Sequence, residues 1–294
     1  MPSKRIILMY ISEFSGHHSA TLAIEKAIKV ISKHTEVLNI NAFNYTNPIS
    51  EKIVNRIYMG VIKRTPQIWN YLYDNPAIVK KIEKVKETIH RFNSPKLKNL
   101  FDEFMPDVVV CTQAFPCGMV ADFKKTYNSN LHLVAVLTDY IPHSYWIYDT
   151  INYYITPSEE VTQRLITKGV PNGKIKSLGI PIDPGFCEKV LKNKVATKLG
   201  LKSNIPTVLI MGGGQGLGPI KTIVESLEKV NLEFQEIIVT GTNRKLYNSL
   251  KRKINLVRKY GFVQDFLSNG VKKYKKNILL FRYVDNIHEL MSIC

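Results

Sequence analysis

The chain has 294 residues, 45% of them hydrophobic, enough for one large or two medium globular domains. Lys and Arg number 41 against 24 Asp and Glu, a formal net charge of +17 that attracts nucleic acid, an anionic membrane face or phosphorylated ligands. The cysteines, Cys111, Cys117, Cys187 and Cys294, form no CxxC pair and no Cys/His cluster, which argues against a zinc site or a disulfide framework.

The opening run Met1 to Tyr10 is too short in apolar residues for a signal peptide, and no stretch approaches the ~18 apolar residues of a spanning helix. A cytoplasmic protein, free or peripheral on a membrane, is therefore expected. Arg5 to Ile11 reads as a strand, Ser12 to Ser19 as a turn, and Ala20 to Ser32 as a helix with Leu22, Ala23, Ala27, Val30 and Ile31 at helical spacing. Thr35 to Ile40 is a second strand. This order opens a doubly wound α/β domain.

Further strands are expected at Val108 to Thr112, Leu133 to Leu137 and Ile151 to Thr156. A helix from about Ser158 to Lys168 follows, with Ser158 as its cap and Glu159 and Glu160 in its first turn. The first domain is expected over 1–183. Within it, about 47–99 breaks the strand–helix rhythm. Tyr58, Trp69, Tyr71 and Tyr73 alternate there with Lys63 and Arg64, a mixture that suits a lipid interface and equally suits a helical excursion with one wet basic face. A linker is expected over 184–206, and a second unit over 207–294.

That second unit opens on Thr207-Val-Leu-Ile-Met-Gly-Gly-Gly-Gln-Gly-Leu-Gly-Pro219, a buried strand, a glycine turn and a helix with Pro219 in its first turn. Gly212, Gly213, Gly214, Gly216 and Gly218 let the backbone turn sharply and approach a ligand. The dinucleotide spacing fails, because Leu217 or Pro219 stands where its third glycine belongs. A P-loop fails too, because Pro219 and Ile220 separate Gly218 from Lys221-Thr222. A phosphate-cradling loop at a helix N-terminus remains, against a purely structural turn.

In the first unit, Gly16-His17-His18 lies where doubly wound folds bind ligands, at the carboxyl end of a strand. A neutral imidazole there can take a proton from a hydroxyl, although such a histidine is often only a cap or a surface residue. Thr138-Asp139-Tyr-Ile-Pro-His143-Ser-Tyr145-Trp146 follows another buried strand, so Asp139 and His143 are candidates to join His17. The set lacks a hydrolase nucleophile and suits a base that deprotonates an alcohol.

Ser15-Gly-His17-x-x-Ala20, Thr138-Asp-Tyr-x-x-His143-x-x-Trp146, Gly179-Ile-Pro-Ile182 and Met211-Gly-Gly-Gly-x-Gly-x-Gly218, in that order, resemble the monogalactosyldiacylglycerol synthase and processive diacylglycerol glucosyltransferase family. That family is similar to the lipid II-forming N-acetylglucosaminyltransferase. The resemblance implies an α/β GT-B fold of two Rossmann-like doubly wound domains. It implies transfer of a hexose from a UDP-sugar to diacylglycerol, with no metal or other cofactor. It gives His17 and Asp139 catalytic roles, and places Gly16, His143, Tyr145 and Trp146 at the acceptor. Gly212, Gly213, Gly214, Gly216 and Gly218 would meet the donor, and Tyr58, Lys63, Arg64, Trp69, Tyr71 and Tyr73 the membrane.

Diacylglycerol, anionic lipids and a UDP-hexose are the partners so implied, and no nucleic acid is expected. The matching segment ends inside a helix at Cys294, so the second Rossmann-like domain is expected to be incomplete. Thr21 departs from the family, which usually has alanine there. Two alternatives stand beside this reading: a non-catalytic membrane-binding remnant of the fold, and a related GT-B enzyme of peptidoglycan precursor synthesis.

Overall fold

A computed structural model describes residues 3–46, 95–267 and 277–294, with the side chains of 257–267 excepted. Tyr58, Lys63, Arg64, Trp69, Tyr71 and Tyr73, the expected lipid-facing residues, lie outside the described residues. The chain divides into two compact units, Met1–Pro184 and Gly185–Cys294.

The first unit is built on six parallel strands: β1 (Arg5–Tyr10), β2 (Glu36–Asn41), β3 (Val108–Cys111), β4 (His132–Val136), β5 (Tyr153–Thr156) and β6 (Ile175–Ser177). Their order in the sheet is β2-β1-β3-β4-β5-β6. The chain leaves β1 for β2 on one side and returns to β3 on the other, so the order reverses between β1 and β3. At that point the loops following the two neighbouring strands part and leave a crevice. Ile6 pairs with Val108 and Met9 with Cys111, which aligns the ends of the two strands.

Helix α1 (Gly16–Ile31) begins four residues before the expected Ala20. Glycine and paired histidines are weak helix formers, and they hid its first turn. Ser15 caps it, its side chain accepting from the His18 amide at 3.2 Å. Helix α2 (Ala42–Thr46) follows β2, and α3 (95–104) buries Leu97, Leu100 and Phe101 at helical spacing. Helix α4 (Ala114–Thr126) covers the sheet, and α5 (Glu159–Thr167) is capped by Ser158, as its sequence predicts.

Two lysines bind backbone and amide oxygens at the edge of this core. Lys124 is buried and donates to the Thr150 carbonyl and to Asn152 Oδ1, both at 2.7 Å. Asn152 Oδ1 also accepts the Leu133 amide at 2.9 Å. Lys174 holds the Asp149 and Ile151 carbonyls at 2.9 and 2.8 Å. Two ammonium groups thus fasten the turn that leads into β5. Burial, with the nearby Lys174 charge, lowers the Lys124 pKa below the ordinary lysine value.

The second unit has a parallel sheet of β7 (Thr207–Met211), β8 (Gln235–Val239) and β9 (Asn277–Phe281) in that order. Every residue of the central strand β8 is buried. Its helices are α6 (Lys192–Lys198), α7 (Ile220–Leu227), α8 (Arg244–Leu267) and α9 (Ile287–Ser292). The expected linker over 184–206 is corrected here. Its lysine run forms α6, and Ala196 and Leu201 enter the core with Ile237, Val239 and Leu290. Gln235 fixes the same segment, its side chain accepting the Lys202 amide and donating to the Lys202 carbonyl, both at 2.8 Å. A basic composition disguised a docked helix because the lysines occupy its wet face.

Replacing Lys124 by Met keeps the stem and removes the donor, leaving the Thr150 carbonyl and part of Asn152 unmatched. We expect Lys124→Met to lose about 2 kcal/mol in urea unfolding of the first unit. A change within about 0.5 kcal/mol would mean that water replaces the ammonium.

Candidate active site

The turn after β1 brings His17 into the first turn of α1, at the crevice between β1 and β3. Its Nδ1 lies 3.0 Å from the Thr112 carbonyl and 2.5 Å from the Thr138 hydroxyl. A carbonyl oxygen can only accept, so Nδ1 carries the hydrogen. Nε2 is then the nitrogen with a lone pair. His17 is half-buried, so this lone pair is held on a partly exposed ring.

Behind the ring is a cluster of hydroxyls. Thr21 and Thr112 are both fully buried. Each hydroxyl lies 3.0 Å from the His17 carbonyl, and the two lie 2.7 Å apart. The neighbouring loops are also tied, the Ile11 amide donating to Gln113 Oε1 at 3.1 Å and the Thr112 amide to the Met9 carbonyl at 3.2 Å. Phe14, just before the cap Ser15, takes a left-handed backbone with φ of 57°, a strained conformation for an aromatic residue.

Asp139 follows Thr138 at the carboxyl end of β4 and is half-buried. No hydrogen bond joins it to His17, and the ring is oriented by Thr112 and Thr138. His143 lies 5.5 Å from Tyr145 and 6.2 Å from Trp146 between ring centroids. Trp146, expected at the acceptor, is wholly buried in the core, with partly buried Tyr145 packed against the same cluster. Gly16 is exposed, and a Cβ added there would meet nothing within 4 Å. The neighbouring His18 stacks on Tyr10 at 4.2 Å, and burial lowers its pKa against the pull of Glu13 and Glu25. Among the described residues no group of three or more His, Cys, Asp or Glu side chains is arranged to hold a metal ion.

In the second unit the glycine loop interlocks with the turn after β8. A Cβ at Gly216 would lie 1.9 Å from the Thr240 carbonyl oxygen, and one at Gly241 would lie 2.3 Å from that of Gly214. One at Gly212 would lie 2.0 Å from the Leu217 carbonyl. Packing of turn against turn therefore demands glycine at Gly216 and Gly241, and the closure of the loop on itself demands it at Gly212. Gly213 and Gly218 differ. Their φ values are +66° and +88°, and their Cβ positions are open.

The Thr242 amide donates to the Gly214 carbonyl at 2.9 Å, and Asn243 Nδ2 to the Gly216 carbonyl at 3.1 Å. Asn243 also caps α8, its Oδ1 accepting the Leu246 amide at 3.0 Å. The loop carbonyls are thereby engaged, whereas the amides of Gly213, Gly214, Gln215 and Gly218 donate to none of the described residues. Pro219 is the residue before α7, one position earlier than its expected place in the first turn.

Two parallel α/β units, with a histidine at the switch point of the first and a glycine loop opening the second, define a GT-B type protein. The fold is shared with Anabaena Alr3699/HepE, solved in complex with UDP-glucose, at a TM-score of 0.51 and 14% identity over 99% of this chain and 72% of that one. The model of the monogalactosyldiacylglycerol (MGDG) synthase family matches residues 17–182, and the chain belongs to that family. The processive diacylglycerol beta-glucosyltransferase of Bacillus subtilis is 26% identical over 251 residues, covering 84% of this chain and 64% of the relative. The enzyme of the same name from Staphylococcus carnosus is 24% identical over 99% of this chain and 68% of its own length. The chain thus spans about two thirds of the length of these relatives.

The interlocked turns separate two kinds of glycine. We expect Gly216→Ala, which drives a Cβ into a backbone carbonyl, to destabilise the second unit by about 3 kcal/mol in chemical denaturation. Gly213→Ala, strained only in its backbone, should cost about 1 kcal/mol. Equal losses would show that backbone conformation alone selects glycine at both sites.

Proposed function

We propose that this chain is the catalytic part of a glycosyltransferase that moves a hexose from a UDP-sugar to the free hydroxyl of diacylglycerol. The observation that carries the reading is the His17 ring, with Nδ1–H held by the Thr112 carbonyl and Nε2 left as a base. In the reaction, Nε2 takes the hydroxyl proton and the freed oxygen bonds to the anomeric carbon. The bond from that carbon to the UDP oxygen breaks, UDP leaves, and the configuration inverts. Positioned general-base catalysis of this kind is worth about 10²- to 10⁴-fold.

The donor phosphates would be received by the glycine loop. Its outward amides and the N-terminus of α7 favour negative charge, which grows on the leaving group as the bond breaks. Gly213, Gly214, Gly216 and Gly218 would shape that cradle and Gly212 would start it. Asp139, at the end of β4, would oppose the imidazolium formed on His17 by its charge. Gly16 leaves room beside the base for the lipid hydroxyl, and His143 and Tyr145 would line the path to it.

A diacylglycerol acceptor implies work at a lipid surface, and the net charge of +17 favours an anionic one. No helix among the described residues is long and apolar enough to cross a membrane, which suits peripheral attachment. Tyr58, Lys63, Arg64, Trp69, Tyr71 and Tyr73 remain the proposed anchors. The names of the relatives support diacylglycerol as acceptor, and the UDP-glucose bound to Anabaena Alr3699/HepE supports a UDP-hexose as donor.

The test is transfer of labelled hexose from UDP-glucose or UDP-galactose to diacylglycerol in anionic vesicles. His17→Ala should lower the rate at least about 100-fold while UDP binding stays within about twofold. Retained turnover in His17→Ala would remove this histidine from the base role. Vesicle binding by the unmodified protein without any transfer would favour the non-catalytic reading.

A further inference from the structure

We propose that Thr112 is a positioning residue that sets the tautomer of His17 by gripping it at two points. This rests on the reading of His17 as the base. The Thr112 backbone carbonyl accepts from Nδ1 at 3.0 Å, and its hydroxyl lies 3.0 Å from the His17 carbonyl. The residue is fully buried, and its own amide is tied to Met9. One residue at the end of β3 therefore holds both the backbone and the ring of a residue on α1.

The other partner of the ring does not fix the tautomer by itself: the Thr138 hydroxyl lies 3.5 Å from the Thr112 carbonyl, as a donor to it, and takes its direction from that carbonyl. The Thr138 hydroxyl lies 2.5 Å from Nδ1 and can either accept from it or donate to it. A hydroxyl satisfies both neutral forms of imidazole, whereas a carbonyl satisfies only the form with hydrogen on Nδ1. If the Thr112 carbonyl drifts, Thr138 can turn its hydrogen toward Nδ1. The base lone pair is then lost from Nε2.

The Thr112 hydroxyl prevents that drift, and its neighbour Thr21 does so only indirectly. Three contacts join Thr21, Thr112 and the His17 carbonyl, but two hydroxyls supply only two hydrogens. Removing the Thr21 hydroxyl leaves Thr112 free to donate to the His17 carbonyl, and the two-point grip survives. Removing the Thr112 hydroxyl leaves Thr21 bonded to that carbonyl but breaks the tie between Thr112 and the His17 backbone, leaving the end of β3 held to β1 alone. Two equally buried hydroxyls thus differ in consequence.

The test compares Thr112→Val, Thr112→Ser and Thr21→Val with the unmodified full chain. Nitrogen NMR of the histidine rings, without substrate, reports which nitrogen of His17 carries hydrogen. Hexose transfer to diacylglycerol reports kcat and KM. The unmodified protein should show hydrogen on Nδ1.

Thr112→Val should show a mixture, with kcat down about tenfold, the size of one lost hydrogen bond at the base, and KM for both substrates within about twofold. Thr112→Ser should restore both readouts, and Thr21→Val should keep the Nδ1–H form with kcat within about twofold. Hydrogen on Nε2 in the unmodified protein overturns the proposal, as does an equal kcat loss in Thr21→Val and Thr112→Val. The NMR readout needs no turnover. It judges the tautomer even if His17→Ala retains transfer, an outcome that would sink only the base assignment.

Discussion

A single hydrogen bond, from His17 Nδ1 to the Thr112 carbonyl, bridges the place where the first sheet reverses its order. It exists because parallel β1 and β3 end level with each other, Met9 opposite Cys111. The chain beyond β1 then turns into α1 while the chain beyond β3 enters α4. A carbonyl at the tip of one strand meets the ring at the head of a helix that follows the other. The Ser15 cap fixes the helix start, and the Thr112 hydroxyl lies 3.0 Å from the His17 carbonyl beside that meeting. Any shift in register between β1 and β3 moves the carbonyl away from the ring, so the orientation of His17 in this unit is a property of strand alignment.

The strands were largely legible in the sequence. Val108 to Cys111 and Leu133 to Val136 are short apolar runs of the kind that parallel sheets bury on both faces, and their expected limits lie within a residue of the observed ones. The Ser158 cap was equally readable, because a serine before two glutamates is a local signal. The start of α1 was not, since Gly16, His17 and His18 have low helix propensity and tertiary contacts decide their state. Helix α6 was missed because lysines dominate its composition and its inward residues are few, Ala196 with Leu199 and Leu201 just past its end. The role of Thr21 and Thr112 was invisible for a different reason: they meet across 91 residues of chain, and no local pattern encodes such a pair.

For the candidate site, the sequence singled out His17 and did not show what holds its ring. Asp139 read as a candidate to join it, because it too follows a buried strand at the same end of the sheet. The observed partners are the Thr112 backbone carbonyl and the Thr138 hydroxyl, uncharged groups whose pairing with His17 no local spacing encodes. Trp146 sat inside a motif and reads as a contact residue there, yet the core needs its bulk. Residues that shape a site from behind share motif positions with those that touch a ligand, and only burial separates them.

The glycine loop of the second unit carries a consequence for how such sequences diverge. Gly216 and Gly241 each press on a carbonyl of the opposite turn, and Asn243 stitches the two together while capping α8. Neither turn can therefore enlarge alone. A lineage that replaces one glycine must also reshape the facing turn, so the two segments, more than twenty residues apart, descend as one inherited unit. A pattern search that scores the first turn by itself looks at half of a joint.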